Sequence, residues 1–122
     1  MPGSTILVID DDSTIRKIME EYLEQVGFRV LSAADGLEGL DMIRQENYDL
    51  VVLDVHLPYV SGIGLIKIAR EKTPGIPVIC ITGYGYHPEQ IAEEEKADIV
   101  LAKPVPLDEL AENIKKLLNN TN

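Results

Sequence analysis

The 122 residues include no tryptophan, one phenylalanine and one cysteine. Without an indole, binding has no strong intrinsic fluorescent reporter. Cys80 has no second cysteine to pair with, so no internal disulfide forms and a reducing compartment is expected. It lies within the apolar run of residues 78–81, where a small buried side chain is the expectation rather than a reactive thiol. Basic residues are scarce: 11 Lys and Arg against 21 Asp and Glu leave a net charge of −10. That charge repels a nucleic-acid backbone and an anionic membrane surface, and the single basic pair Lys115-Lys116 makes no phosphate-binding stripe. No apolar run approaches a membrane span, and the first residues lack the basic and apolar regions of a signal peptide. Neither nucleic acid nor membrane is expected as a partner, and the expected location is cytoplasmic.

What the chain does have is an ordinary globular balance, 45% hydrophobic and 26% charged, at a length that suits one domain. A single domain over 1–122 is expected, with its core at about 5–118 and a flexible polar tail at 119–122. The hydrophobic pattern alternates in period. Residues 5–9 form a short apolar strand. Ile15, Ile18, Met19, Tyr22, Leu23 and Val26 then recur at helical spacing, with Asp12 or Ser13 as cap and Gly27 as stop. Strands are expected again at 29–33, 50–53, 78–81 and 99–102. Leu37, Leu40 and Ile43 mark a helix ending near Asn47; Leu65, Ile66 and Ala69 mark another before Pro74-Gly75. A helix is expected at 88–96, where Ile91 is the only large apolar residue. The last helix carries Leu107, Leu110, Ala111, Ile114, Leu117 and Leu118. Alternating strands and helices with fully apolar strands predict an α/β fold, a parallel sheet covered on both faces. Ligands of such sheets bind beyond the carboxyl ends of the strands.

The unusual residues fall at that edge: Asp10-Asp11-Asp12, Asp54, Thr82 and Lys103-Pro104. Each has a bland reading taken alone. The acidic triplet can cap a helix, Asp54 can start a turn, Thr82 can be a strand residue and Lys103 a surface cation. Gathered at one end of a sheet they suggest a cation site instead. Two carboxylates about 4 Å apart repel by roughly 4 kcal/mol at an effective dielectric near 20. Magnesium accepts carboxylate, phosphate and water oxygens, and a lysine adds positive charge without being a ligand. A carboxylate is also a nucleophile for an acyl phosphate. His56 and His87 have no metal-ligand spacing with Cys80, so zinc is not expected.

Together the runs Ile6 to Arg16, Asp54-Val-His-Leu-Pro58 with Ser61-Gly62, Thr82-Gly83 and Lys103-Pro104 resemble the successive motifs of response-regulator receiver domains of two-component signalling. The match extends from about Thr5 to Leu118. The resemblance implies a doubly wound, flavodoxin-like sheet of five parallel strands in the order 2-1-3-4-5. It implies Asp54 as phosphoacceptor, Asp11 as a direct magnesium ligand and Asp10 as a supporting acid acting partly through water. The backbone carbonyl of His56 becomes a further ligand. Thr82 becomes the hydroxyl that turns towards the phosphoryl group, Lys103 the lysine that pairs with it, and Lys103-Pro104 a cis bond. The implied donor is a sensor histidine kinase or a histidine phosphotransfer protein. The implied receiver of the signal is an output domain or downstream protein, with a phosphorylation-dependent dimer among the assemblies. Such a domain catalyses its own phosphorylation and slow dephosphorylation and no other reaction.

The chain departs from the family pattern at Val100, where an aromatic is common, at Val105, where Phe is common, and at Lys96, where Gly is common. With Val100 in place of a ring, activation is expected to displace residues 83–95. His56 and Tyr84, flanking the path of hydrolytic water in the family, are expected to slow loss of the phosphoryl group. Other classes fit less well. An aspartate-dependent phosphatase wants a second Asp where His56 stands. A flavodoxin-type carrier would face three aspartates against its flavin phosphate, and a P-loop nucleotidase lacks its motif. A receiver-like module that only binds protein has no need of the whole Asp, Thr and Lys set. A complete single-domain regulator and the receiver of a longer protein remain equally open.

Overall fold

The computed structural model describes residues 3–55, 57, 62–83 and 97–120. Its apolar runs form five strands: β1 (Thr5–Ile9), β2 (Arg29–Ala33), β3 (Leu50–Asp54), β4 (Val78–Thr82) and β5 (Ile99–Ala102). All neighbours are parallel, in the order β2-β1-β3-β4-β5. The helices among the described residues are α1 (Ser13–Val26), α2 (Gly36–Gln45), α3 (Gly62–Lys72) and α4 (Leu107–Asn120). The helix expected at 88–96 lies outside the described residues.

Strand alternation divides the core into two layers. Ile6, Val8, Leu50, Val52, Ile79 and Ile81 face α1 and α4, packing with Met19, Leu23, Leu110 and Ile114. Leu7, Ile9, Val51, Leu53, Val78 and Cys80 face the other way and pack with Ile43, Leu65 and Ala69 of α2 and α3. Cys80 is fully buried, as its apolar setting predicts. β1 leads to β2 on one side while β3 sits on its other side, so the strand order reverses between β1 and β3. The crevice beyond their carboxyl ends is where this architecture opens.

The helix ends are fixed by residues that the sequence supplies nearby. Asp12 caps α1, its carboxylate accepting from the N–H groups of Thr14 and Ile15 at 3.0 and 3.1 Å. Gly27 closes the helix in the left-handed region at φ 116°, a conformation that costs glycine little. Asp35 caps α2 by accepting from Glu38 N–H, and Glu38 reaches back to the N–H of Ala34. α2 ends at Gln45, earlier than the expected Asn47. Here Tyr48 Oη and Lys72 Nζ donate to the Ile43 carbonyl, and Lys72 also donates to Glu46. These donors satisfy carbonyls at the helix end, one from just past the helix and one from α3. Gly39 lets α2 approach β1: a Cβ there would lie 3.0 Å from two methyl groups of buried Ile9. Two side chains of the helical patterns, Ile18 and Leu37, are about half exposed rather than packed.

At the opposite edge of the sheet, two aspartates outside the expected site make the same contact. Asp49 precedes β3, and its carboxylate accepts from Thr5 N–H of β1 at 2.7 Å. Asp98 precedes β5 and accepts from Val78 N–H of β4 at 2.7 Å, while pairing with Arg70 of α3 at 2.9 Å. Each also donates its own N–H to the neighbour's carbonyl, Asp49 to Thr5 and Asp98 to Val78. Each carboxylate thereby supplies an acceptor at the start of the adjacent strand.

Val78 is fully buried whereas Thr5 is partly exposed, so the two staples differ in what their loss leaves behind. Asp98→Ala strands a buried N–H and is expected to cost about 1–3 kcal/mol in urea unfolding. Asp49→Ala leaves a donor that water can reach, and is expected to cost under about 1 kcal/mol. Asp98→Asn, which keeps an acceptor oxygen, should recover most of the loss. The reverse order of the two alanine variants would refute the staple account.

Candidate functional site

The carboxyl ends of β1, β3 and β4 and the loop after β5 bring the four sequence features together. Asp10 follows β1 and continues its ladder, donating its N–H to Ala33 at 3.2 Å. Asp54 is the last residue of β3 and Thr82 the last of β4, rather than the residues after those strands. In register, Asp54 stands opposite Ile81, and Thr82 opposite Ala102, one step before Lys103. Asp10, Asp54 and Thr82 are the buried polar or charged residues among those described, at 1%, 3% and 0% exposure.

The three aspartates of the triplet have separate environments. Asp10 points into the site; its Oδ1 accepts from Asp12 N–H at 2.8 Å. Asp11 is exposed at the rim. Asp12 turns away to cap α1. The carboxylates of Asp10, Asp11 and Asp54 each offer an oxygen within 4.8 Å of the others.

Lys103 enters from the loop after β5. Its backbone N–H donates to Thr82 at 2.8 Å, which carries the ladder past the strand end and aims the side chain back at the acids. Its Nζ lies 2.8 Å from Asp54 Oδ2 and 3.6 Å from Asp10 Oδ2. Burial works against the Lys103 charge, but the hydrogen bond to Asp54 and the charges of both aspartates outweigh it and raise its pKa. The Lys103-Pro104 bond is cis. The Thr82 hydroxyl makes a long 3.4 Å contact with the Gly83 carbonyl.

One lysine does not balance this site. Asp10 Oδ2 is buried and accepts no hydrogen bond. Burial pushes the Asp10 carboxyl above its usual range and the Asp54 charge adds to that; Asp12 N–H and Lys103 pull the other way. A buried carboxylate oxygen without a donor, among other carboxylate oxygens and with no sulfur or imidazole nearby in the described cluster, fits a hard cation such as magnesium. The chemistry open to such a set is attack by a carboxylate on an electrophile whose negative charge the lysine can meet.

Beside Lys103 a groove of about 520 Å³ opens between α1 and the loop before α4, lined by Ile15, Ile18, Met19, Pro104, Val105 and Leu107 among others. Val105, at the position where the family favours Phe, is a partly buried member of the α1–α4 layer, and Val100 packs against the other layer. The expectations for His56, Tyr84 and Lys96 fall outside the described residues, as does most of the segment 83–95. Two contacts escaped the sequence reading. Arg16 Nη1 donates to the Asp10 carbonyl at 2.8 Å, and Asp12 N–H supports Asp10 Oδ1. The Asp-x-Asp spacing was a signal for the second; nothing local signals the first.

Comparison with known proteins agrees with this geometry. Residues 6–115 match the family model of the response regulator receiver domain. The sporulation initiation phosphotransferase F of Bacillus subtilis is 34% identical over 120 residues, covering 97% of this chain and 96% of its own. The probable transcriptional regulator ycf27 of Guillardia theta is 36% identical over 96% of this chain but 46% of its own length; the chain spans about half of several such relatives. Among solved structures, a receiver domain protein from Methanospirillum hungatei superposes with a TM-score of 0.89 at 33% identity, covering 98% of this chain and 96% of its own. The Thermotoga maritima response regulator TrrA, solved with Mg2+ and BeF, gives 0.82 at 34% identity over 93% of this chain and 98% of its own. With the strand order, the acid cluster and the strand-end lysine in agreement, the chain belongs to the response regulator receiver domain family.

Proposed function

We propose that this receiver domain takes a phosphoryl group on Asp54 from a phosphohistidine of a sensor histidine kinase or histidine phosphotransfer protein. The observation that carries the assignment is a buried Asp54 carboxylate with Lys103 Nζ at 2.8 Å, beside Asp10 and Asp11. A carboxylate oxygen of Asp54 forms the new bond to phosphorus, the phosphorus–nitrogen bond of the donor breaks, and its electron pair returns to the imidazole. Lys103 is placed to follow the charge from the carboxylate to the phosphoryl oxygens, and Thr82, on the neighbouring strand end, offers a hydroxyl to the same group. Asp10, Asp11 and Asp54, with the His56 carbonyl, are the proposed ligands of magnesium. When bound, the ion neutralises charge on the acids and on the incoming phosphoryl group. The relative solved with Mg2+ and BeF supports this choice of ion.

The donor protein has an apolar surface to meet beside Lys103, in the groove of α1 and the loop before α4. The product is a change of state in one receiver domain spanning residues 1–122, read by an output domain or a downstream protein, with a phosphorylation-dependent dimer as one form of readout. The domain turns over no other substrate on this reading. The net charge of −10 argues against nucleic acid as its own ligand, and no described helix is long and apolar enough to cross a membrane. A cytoplasmic setting suits a partner kinase that uses ATP.

Acetyl phosphate with magnesium is expected to add one phosphoryl group, seen by intact mass and lost in base, and Asp54→Ala should abolish it. Undiminished labelling of that variant would remove Asp54 from the mechanism. Asp11→Ala should weaken magnesium binding in a calorimetric or NMR titration and suppress labelling, since it deletes a proposed ligand. Unchanged affinity would exclude Asp11 from the ligand set.

The cost of the acid cluster predicts a stability effect of the opposite sign. Carboxylate oxygens up to 4.8 Å apart repel by about 3–4 kcal/mol at an effective dielectric near 20, less what Lys103 recovers. Asp10→Asn is therefore expected to melt higher than the parent near pH 7 without divalent cations, by about 1 kcal/mol or roughly 3–5 °C. Because the folded state raises the Asp10 pKa, it binds that proton more tightly than the unfolded chain. The stabilising contribution of protonation is full below the unfolded value of 3.8 and is lost as pH rises through the folded value. The advantage of Asp10→Asn should thus shrink as pH falls towards that value. Equal melting of the two proteins at neutral pH would contradict it.

A further inference from the structure

Arg16 lies in the first turns of α1, and its guanidinium makes its described backbone contact with the loop that carries the acids: Nη1 donates to the Asp10 carbonyl at 2.8 Å. We infer that Arg16 is a positioning residue for the cation site, fixing the Asp10–Asp11 peptide so that Asp10 Oδ2 and the Asp11 carboxylate converge on one ion. This rests on the reading of Asp10 and Asp11 as ligands given above.

The carbonyl of Asp10 belongs to the peptide plane that leads into Asp11. Rotating that plane swings the Asp11 carboxylate, which sits exposed at the rim. On its other side Asp10 is already held, its N–H on Ala33 and its Oδ1 on Asp12 N–H. The remaining freedom is the plane that Arg16 engages. The acceptor it engages is a backbone carbonyl of a residue only 1% exposed, a group that needs a donor when water is excluded.

The base of the Arg16 side chain is itself fixed. Arg16 N–H donates to Asp12 at 2.9 Å, and the Asp12 carboxylate takes the N–H groups of Thr14 and Ile15. Glu20, one turn on, lies 4.0 Å from Arg16 Nε, and the Arg16 side chain is 19% exposed. Helix initiation alone would be served by the Asp12 cap, so the long reach back to Asp10 adds nothing that α1 needs. What it adds is a fixed path for the loop between a ligand on the strand end and a ligand at the rim. Residues that orient metal ligands from outside the coordination shell commonly have this geometry: a donor on a group covalently continuous with the ligand.

Magnesium alone is the probe. Titration by calorimetry or NMR should show Arg16→Ala binding about tenfold or more weakly than the parent, with Arg16→Lys recovering part of the loss because it keeps a charged donor. In labelling by acetyl phosphate, the magnesium concentration for half-maximal rate should rise while the rate at saturating magnesium returns close to that of the parent. A merely structural role would lower the melting temperature of the metal-free protein and leave both magnesium readouts alone. Should Arg16→Ala fail to fold, Arg16→Lys and Arg16→Gln carry the test, with the neutral glutamine expected to bind more weakly than the lysine. Arg16 variants that bind magnesium within about twofold of the parent, while Asp11→Ala loses binding, would overturn the role of Arg16 and leave the site intact. A parent protein that binds no magnesium would overturn the proposed function and this inference with it.

Discussion

The ion pair of Lys103 with Asp54, 2.8 Å long and extended to Asp10 at 3.6 Å, is the contact on which the carboxyl edge of this sheet depends. Two buried carboxylates on adjacent strands repel each other and gain little from water. A lysine from a third strand end offsets part of that cost while remaining three-quarters buried itself. Removing the lysine would leave the buried carboxylates shorter still of positive charge, a larger loss than the net value of the pair. The residual imbalance, centred on Asp10 Oδ2, is not a defect of packing. It is a buried acceptor of the kind that the proposed cation would satisfy.

The triplet Asp10-Asp11-Asp12 shows how three copies of one side chain acquire three roles from position alone. Asp10 still belongs to the strand, hydrogen-bonded to β2, and its side chain follows the strand end into the crevice. Asp12 is the residue before α1 and meets unpaired N–H groups, so it caps. Asp11 lies between the two and has neither ladder nor helix to answer to, which leaves its carboxylate at the rim. The order strand end, rim, cap is set by the three-residue connection between β1 and α1. An insertion there would break the register between Asp10 and the cap.

Much of this was legible in the sequence because it rests on local periodicity. The strand bounds at 5–9, 29–33 and 99–102, the full burial of residues 50–53 and the face of α4 follow from which positions are apolar. The convergence of Asp10, Asp54, Thr82 and Lys103 followed from the rule that parallel strands end on one edge, and from the family resemblance. What the sequence hid was tertiary. α2 ends at Gln45, and carbonyls at its end accept from Lys72, 29 residues away from Ile43, and from Tyr48, close in sequence. Leu37 belongs to the apolar period of α2 yet faces solvent, since periodicity names a face without fixing how much of it a neighbour covers. The Arg16 contact had no signal in the sequence, because a side chain to main chain bond spanning a cap has no periodic signature.

The two edges of the sheet explain why only some aspartates make a site. Parallel strands begin with N–H groups to spare and end with carbonyls to spare. An aspartate at the beginning therefore finds donors at once, as Asp49 does on Thr5 and Asp98 on Val78. These carboxylates serve the fold. At the other edge the nearest backbone groups are acceptors, like the aspartates themselves, and donors to the acids come from elsewhere, among them Asp12 N–H from the turn into α1 and Lys103 from its loop. A carboxylate cluster at that edge stays short of positive partners for a reason built into strand direction. The same shortage that makes the edge costly to the folded chain suits it to a cation, which brings the positive charge that the strand ends do not supply.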